Sequence, residues 1–207
     1  MCFDERAATW DDPDKVRQSG EVADAVRRQL DLSGSPRTLE LGAGTGLLSR
    51  ALRDDLGPTT LADSSSGMLE VAREVIEVEG LTGWEAVHVD VDAGRLPEGP
   101  YDLVLAQLAL HHMQDPRAVV GLVRDVLAPG GQVAIADLEL DPHGEFHSHL
   151  GDDFTGHHGF DHDDLAGWLT AAGFVDVTTG NATSIMKEVD GVEKPFPVFL
   201  VTGRRPA

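Results

Sequence analysis

Apolar residues recur along the chain in two rhythms, one with the period of strands and one with that of helices, separated by glycine- and proline-rich breakers. Val16, Val22, Ala23, Val26 and Leu30 predict a first helix over 13–30, with Pro13 in its first turn. Leu39 and Leu41 alternate with Thr38 and Glu40, the pattern of a half-buried strand. A glycine-rich turn and a helical stripe of Leu47, Leu48, Ala51, Leu52 and Leu56 follow. Further strands are predicted at 59–62, 84–93, 101–106 and 132–138, and the apolar run of 101–106 suits a buried parallel strand. Between them, Met68, Leu69, Val71, Ala72, Val75 and Ile76 mark one amphipathic helix, and Asp115-Pro116 opens another. Asp161 caps a last helix carrying Leu165, Trp168, Leu169 and Ala172. Strands starting at 173–177 and covering 196–202 have no helical crossover between them, so they pair antiparallel. The sum is an α/β fold with a mixed sheet.

The turn Gly42-Ala43-Gly44-Thr45-Gly46 joins a strand to a helix through backbone that a ligand can approach closely. A dinucleotide fingerprint places its third glycine three positions after the second; that position is Leu47, and no Gly-Lys-Ser/Thr follows to make a P-loop. Asp63 stands at the carboxyl end of the second strand, 21 residues after Gly42, where a carboxylate can accept from both hydroxyls of a ribose. It also stands where Ser64, Ser65 and Ser66 favour a helix start, so capping is the competing role. Met68 suits either an adenine face or the core. Asp92, with Asp90 as its competitor, is placed to accept from an adenine amino group, beside Ala93.

The chain has 207 residues, 41% of them hydrophobic, enough for a single domain over 1–207 with a helical cap at 1–35. No apolar run reaches the ~18 residues of a membrane span, and the charged start lacks an export pattern, so a cytoplasmic protein is expected. Cys2 is the only cysteine, which excludes a disulfide framework and a thiolate metal cluster. The net charge of −20 disfavours nucleic acid and anionic membrane as partners.

Residues 141–160 lose all periodicity and are rich in His, Asp and Gly, which predicts a lid-like insertion or a disordered segment. Within it, His147, His149, His157 and His158 with Asp152 are of metal-ligand type. Their spacing matches no standard zinc pattern, so no metal is assigned to them.

The pattern Glu-Leu-Gly-Ala-Gly-Thr-Gly (40–46) resembles motif I of the class I S-adenosylmethionine (SAM)-dependent methyltransferases. Ala-Asp-Ser-Ser-x-x-Met-Leu, Asp-Ala-x-x-Leu-Pro, Tyr-Asp-Leu-Val, Leu-x-Leu-His-His-Met-x-Asp, Leu-x-Pro-Gly-Gly and Ala-Ala-Gly-Phe follow in that family's order across about residues 37–203. The branch it is similar to is the small-molecule group with the ubiquinone/menaquinone C-methyltransferases. That resemblance implies a Rossmann-like seven-stranded mixed sheet with helices on both faces and an antiparallel last strand. It implies that Gly42, Gly44 and Gly46 line the methionine and ribose of SAM, with Glu40 near the amino group. Asp63, next to Ser64, would hold the ribose hydroxyls; Met68, Asp92 and Ala93 would border the adenine, and Gln107 would supply a backbone contact. Methyl transfer from a sulfonium needs mainly positioning, and an acceptor carrying a proton also benefits from a base. His112 is the first candidate base and His111 the second, with His147 or His158 hydrogen-bonding the acceptor from the lid. The expected function is transfer of a methyl group to an oxygen, nitrogen or carbon of a small molecule, by a monomer or homodimer. A protein that binds SAM or S-adenosylhomocysteine without transferring a methyl group is the alternative.

Overall fold

The computed structural model describes residues 3–207, apart from the side chains of Asp152 and Asp153; Cys2 and the Asp152 side chain proposed as a ligand lie outside the described residues. Seven strands form one sheet in the order β3-β2-β1-β4-β5-β7-β6. They are β1 (Thr38–Leu41), β2 (Thr59–Asp63), β3 (Trp84–His88), β4 (Tyr101–Gln107), β5 (Leu127–Leu138), β6 (Val175–Val189) and β7 (Val192–Arg204). The first five run parallel, and β7 is antiparallel to both β5 and β6. The chain steps outward from β1 to β3 and then returns to β4, so the strand order reverses between β1 and β4. A reversal of this kind opens a crevice beyond the carboxyl ends of the strands, the usual ligand site of such sheets.

Helices cover both faces. A short helix, α1 (Phe3–Arg6), precedes α2 (Pro13–Gln29), whose Val22 and Val26 pack with α3 (Leu47–Ala51) against Leu103, Leu105 and Leu200. Helix α4 (Ser66–Val78) sets Ala72 against Leu61 beside them. On the opposite face, α5 (Pro116–Val126) and α6 (His162–Ala171) pack on Leu39, Leu41, Val104 and Ile135. The caps are those the residue types favour: Asp12, Ser65, Asp115 and Asp161 each accept a backbone N–H at a helix start.

Several elements depart from the sequence expectation. Strand β1 is buried on both faces, so Thr38 and Glu40 lie inside rather than toward solvent. The stripe from Leu47 leaves the α-helix after Ala51, because Leu52 N–H already bonds Ser49 as well as Leu48, a tighter turn. Strand β3 ends at His88, and Asp90 caps a 3₁₀ turn over Val91–Ala93. Strand β5 starts early, at Leu127, through an irregularity opposite Tyr101 and Leu103. Strands β6 and β7 form a long hairpin closed by Asp190 and Gly191, both with positive φ (51° and 78°), as a type I′ turn requires. Residues 141–160 are ordered as a closed loop. It leaves β5 and returns where Phe160 N–H donates to Leu138 O (2.9 Å) and Leu140 N–H to Phe160 O (2.8 Å). Its middle is a run of 3₁₀ turns over Glu145–Asp153, broken at Gly151 (φ 53°).

Gly46 shows how tightly α3 is set on the sheet: its φ is 83°, and a Cβ there would lie 2.7 Å from Leu61 Cδ1. Gly46→Ala combines a left-handed backbone with overpacking, so a loss of about 2–4 kcal/mol is expected in urea unfolding. A change below about 0.5 kcal/mol, the range of neutral surface substitutions, would contradict this packing.

Candidate active site

At the carboxyl ends of the parallel strands lies a cavity of about 640 Å³, within the ~300–1,000 Å³ range of small-molecule sites. Its floor is the glycine turn. Gly42 and Gly44 have φ of 60° and 55°, and a Cβ on Gly42 would strike Ala109 Cβ at 2.4 Å. The Asp63 carboxylate accepts from Gly44 N–H and Ser65 N–H, each at 2.8 Å. It therefore ties the turn after β1 to the residue before α4; the cap of that helix is Ser65 and not Asp63, which lines the cavity.

Glu40 lines the same cavity although only 2% exposed, and one of its oxygens accepts from Ser49 N–H at 3.0 Å. Burial pushes its carboxyl up to about 7; the bonds from Ser49 oppose this rise and the Asp63 charge adds to it. Ser64, Met68, Asp90, Asp92 and Gln107 also line the cavity. Asp92 accepts from Gln114 N–H at 3.0 Å, which fixes its turn against the segment that leads into α5. Gln107 donates to Ser19 Oγ at 3.1 Å, while its own Oε1 is buried without a partner.

Three of the sequence-predicted residues stand elsewhere. Gly46 does not line the cavity; its lack of a side chain serves the contact with Leu61. Ala93 ends the 3₁₀ turn that presents Asp92 and is not among the lining residues. His158 packs its ring near His147 and Phe154 and is not among the lining residues.

The other end of the cavity is a histidine wall. His111 and His112 form a 3₁₀ turn just past β4, and His147 reaches in from the 141–160 loop. Their ring centroids lie 4.1 Å (His111–His112), 5.2 Å (His111–His147) and 6.0 Å (His112–His147) apart. Asp137, at the end of β5, takes His111 Nδ1 at 2.6 Å and His111 N–H at 3.3 Å, with both side chains buried. A carboxylate on Nδ1 fixes the tautomer and leaves Nε2 as the free acceptor. Gly156 allows the loop to close here: a Cβ would lie 2.4 Å from His111 O, the oxygen that receives His157 N–H at 2.7 Å. Burial lowers the His112 and His147 rings to about 3, and like-charge repulsion from His111 adds to each shift, so both are neutral near pH 7.

The sequence reading missed Asp137, although a carboxylate ending the apolar run Val133–Leu138 is a signal of a buried polar site. Within the helical cap expected at 1–35, it singled out none of the residues that reach the cavity. Phe3, Arg6 and Trp10 line the cavity, and Phe3 meets His112 edge-on at 5.3 Å. Asp4 anchors this segment by accepting from Ser65 Oγ (2.6 Å) and Gly67 N–H (2.8 Å) at the start of α4. These bonds hold its carboxyl below the usual range.

Among known families, the model described as a methyltransferase domain matches residues 15–179. A demethylmenaquinone methyltransferase of Clavibacter sepedonicus is 30% identical over 143 residues, 68% of this chain and 58% of the relative. A biotin biosynthesis bifunctional protein of Bordetella avium is 37% identical over 120 residues, 57% of this chain and 25% of the relative. The chain thus spans between a quarter and three-fifths of these relatives. Among solved structures, a SAM-dependent methyltransferase of Aquifex aeolicus aligns with a TM-score of 0.69 at 18% identity, covering 97% of both chains. A Haemonchus contortus phosphoethanolamine N-methyltransferase in complex with SAM aligns at 0.73 and 14% identity, covering 100% of this chain and 60% of that one. At these identities the structural likeness is one of fold. Among the described residues, no helix is long and apolar enough to cross a membrane.

Glu40→Gln tests the buried carboxyl. Its pKa rises from 4.5 to about 7 on folding, so the folded state holds more protons in that window and wild-type stability falls as pH rises through it. The variant should lose this slope and gain up to about 3 kcal/mol at pH 8, read by urea unfolding at pH 5 and pH 8. Parallel pH profiles for the two proteins would show that Glu40 is not held in this state.

Proposed function

The chain belongs to the methyltransferase domain family, and from that premise we propose that it transfers the methyl group of SAM to a small-molecule acceptor. The observation that carries this reading is that one cavity joins the glycine turn, Asp63 and Glu40 to the imidazoles of His111, His112 and His147. In this reading SAM lies over Gly42 and Gly44, with its ammonium toward Glu40 and its ribose hydroxyls on the free lone pairs of Asp63. Ser64, Met68 and Asp92 surround the adenine. Glu40 then has a cationic partner that favours its ionised form. The acceptor occupies the histidine end, covered by Phe3 and Trp10, where exclusion of water and in-line placement do most of the chemistry.

His111 is better placed than His112 to meet an acceptor proton, since Asp137 would stabilise the imidazolium that forms. His112, lowered to about 3 by burial, is a weak base and serves as a wall. A small molecule suits the cavity's size, and the net charge of −20 opposes a nucleic acid. Of the two relatives described above, one is named for biotin biosynthesis and the other for demethylmenaquinone.

Calorimetric titration with SAM, S-adenosylhomocysteine and NADH tests the cofactor. Micromolar binding of the first two is expected, weakened at least tenfold, or about 1.4 kcal/mol, in Asp63→Ala. Asp63→Asn separates ribose binding from the loop: it keeps an acceptor for one backbone N–H but removes the charge. Between pH 6 and 8 the binding enthalpy of SAM should depend on buffer, because an ammonium beside Glu40 displaces the proton held there. Tight NADH binding, or no SAM binding by the folded protein, would overturn the reading.

A further inference from the structure

The histidine wall has a second chemistry written in its geometry. His111, His112 and His147 come from two segments more than thirty residues apart, yet one ring nitrogen of each lies within 4.8 Å of the other two. His111 is held through Nδ1 by the buried Asp137 carboxylate, as metal-binding histidines are held by an outer carboxylate that sets the tautomer and ring direction. His147 is 4% exposed, its ring lies flat on Phe154 at 3.7 Å, and its Nδ1 is buried without a hydrogen-bond partner. An unpaired buried polar atom costs on the order of 1–3 kcal/mol, and a cation bound at the centre of the three rings would remove part of that cost.

We propose that His111, His112 and His147 bind one divalent transition-metal ion, with Asp137 orienting His111. Three imidazole donors select a zinc-like cation over magnesium or calcium, which prefer oxygen. Three protein ligands leave a fourth position open, the arrangement of catalytic rather than structural zinc. Nitrogen atoms around a tetrahedral ion with bonds of about 2.1 Å sit about 3.4 Å apart, so the rings draw together on binding. His147 can supply that movement, because its turn is flanked by Gly144 and Gly151, with φ of 64° and 53°.

The binding claim stands on the three rings; only its use rests on the methyltransferase reading. In that use, an acceptor hydroxyl or thiol takes the open position and loses its proton to water. Its heteroatom then forms the bond to the methyl carbon as the carbon–sulfur bond of SAM breaks, the electron pair remaining on sulfur. A ring that ligates through Nε2 cannot also accept a proton there, so His111 would be a ligand and not the base when metal is present.

The test uses the full chain stripped with a chelator, titrated with Zn²⁺ by calorimetry and with Co²⁺ by visible absorption. One ion per chain with micromolar or tighter affinity is expected, with the intense visible bands of a low-coordinate Co²⁺ site. His147→Phe keeps the stacked ring and removes a ligand, and should weaken binding at least tenfold; His112→Phe serves if that variant fails to fold. Asp137→Asn should weaken it about 10–100-fold, whereas the exposed His143→Gln should leave it unchanged. Absence of binding by the folded wild type, or binding that survives His147→Phe but is lost in His143→Gln, overturns the proposal. SAM titrated in parallel on the stripped protein separates the two claims: SAM binding without Zn²⁺ binding removes the metal site alone, and Zn²⁺ binding without SAM binding removes the methyltransferase reading alone.

Discussion

Asp63 ends β2 with its two oxygens committed to different parts of the chain, Gly44 N–H after β1 and Ser65 N–H before α4. Those N–H groups belong to a left-handed turn and a helix start, neither of which has a partner in its own element. One carboxylate therefore satisfies both and fixes the distance between the first two strand ends. Everything else at the cavity is positioned from this clamp. Gly42 can press on Ala109 only if the turn is held down, and that contact in turn sets where β4 delivers His111 and His112.

The site also depends on burying polar groups that a core would normally reject. Glu40, His111, Asp137 and His147 are each no more than 4% exposed. Leaving an isolated charge in such surroundings costs several kcal/mol, so each group is either paired or held neutral. Asp137 and His111 satisfy each other; Glu40 keeps its proton into the neutral range; His147 stays unprotonated under Phe154. The same low-polarity environment that imposes these states strengthens any interaction with a bound ligand.

Two segments outside the sheet complete the enclosure. The first residues are pinned to α4 by Asp4, and Asp11 accepts from Thr45 and Arg50, so Trp10 stands over the glycine turn. The 141–160 loop is closed at its base by backbone bonds and braced on β6 and β7 by Lys187 to Phe146 O and by Lys194 to Glu145.

Much of this was legible in the chain itself. Periodicities of two and of 3.6 located the strands and helices, because burial of one face imposes them directly. Three alternate glycines after a strand marked the turn at the cavity floor, because only glycine tolerates that backbone beside a close neighbour. That Glu40, Asp63 and Asp92 gather at one end of the cavity was readable for the same local reason: they sit at fixed distances from strand ends. Even the Asp190-Gly191 hairpin carried its signal, a dipeptide suited to positive φ, beside strands too polar on one face to read as long. Tertiary structure alone decided the rest. Gly46 packs on Leu61 and does not line the cavity, Asp137 meets His111 across two strands, and His147 rather than His158 reaches the cavity. Those outcomes depend on strand order and on how an aperiodic loop closes, and neither leaves a mark in the local spacing of residues.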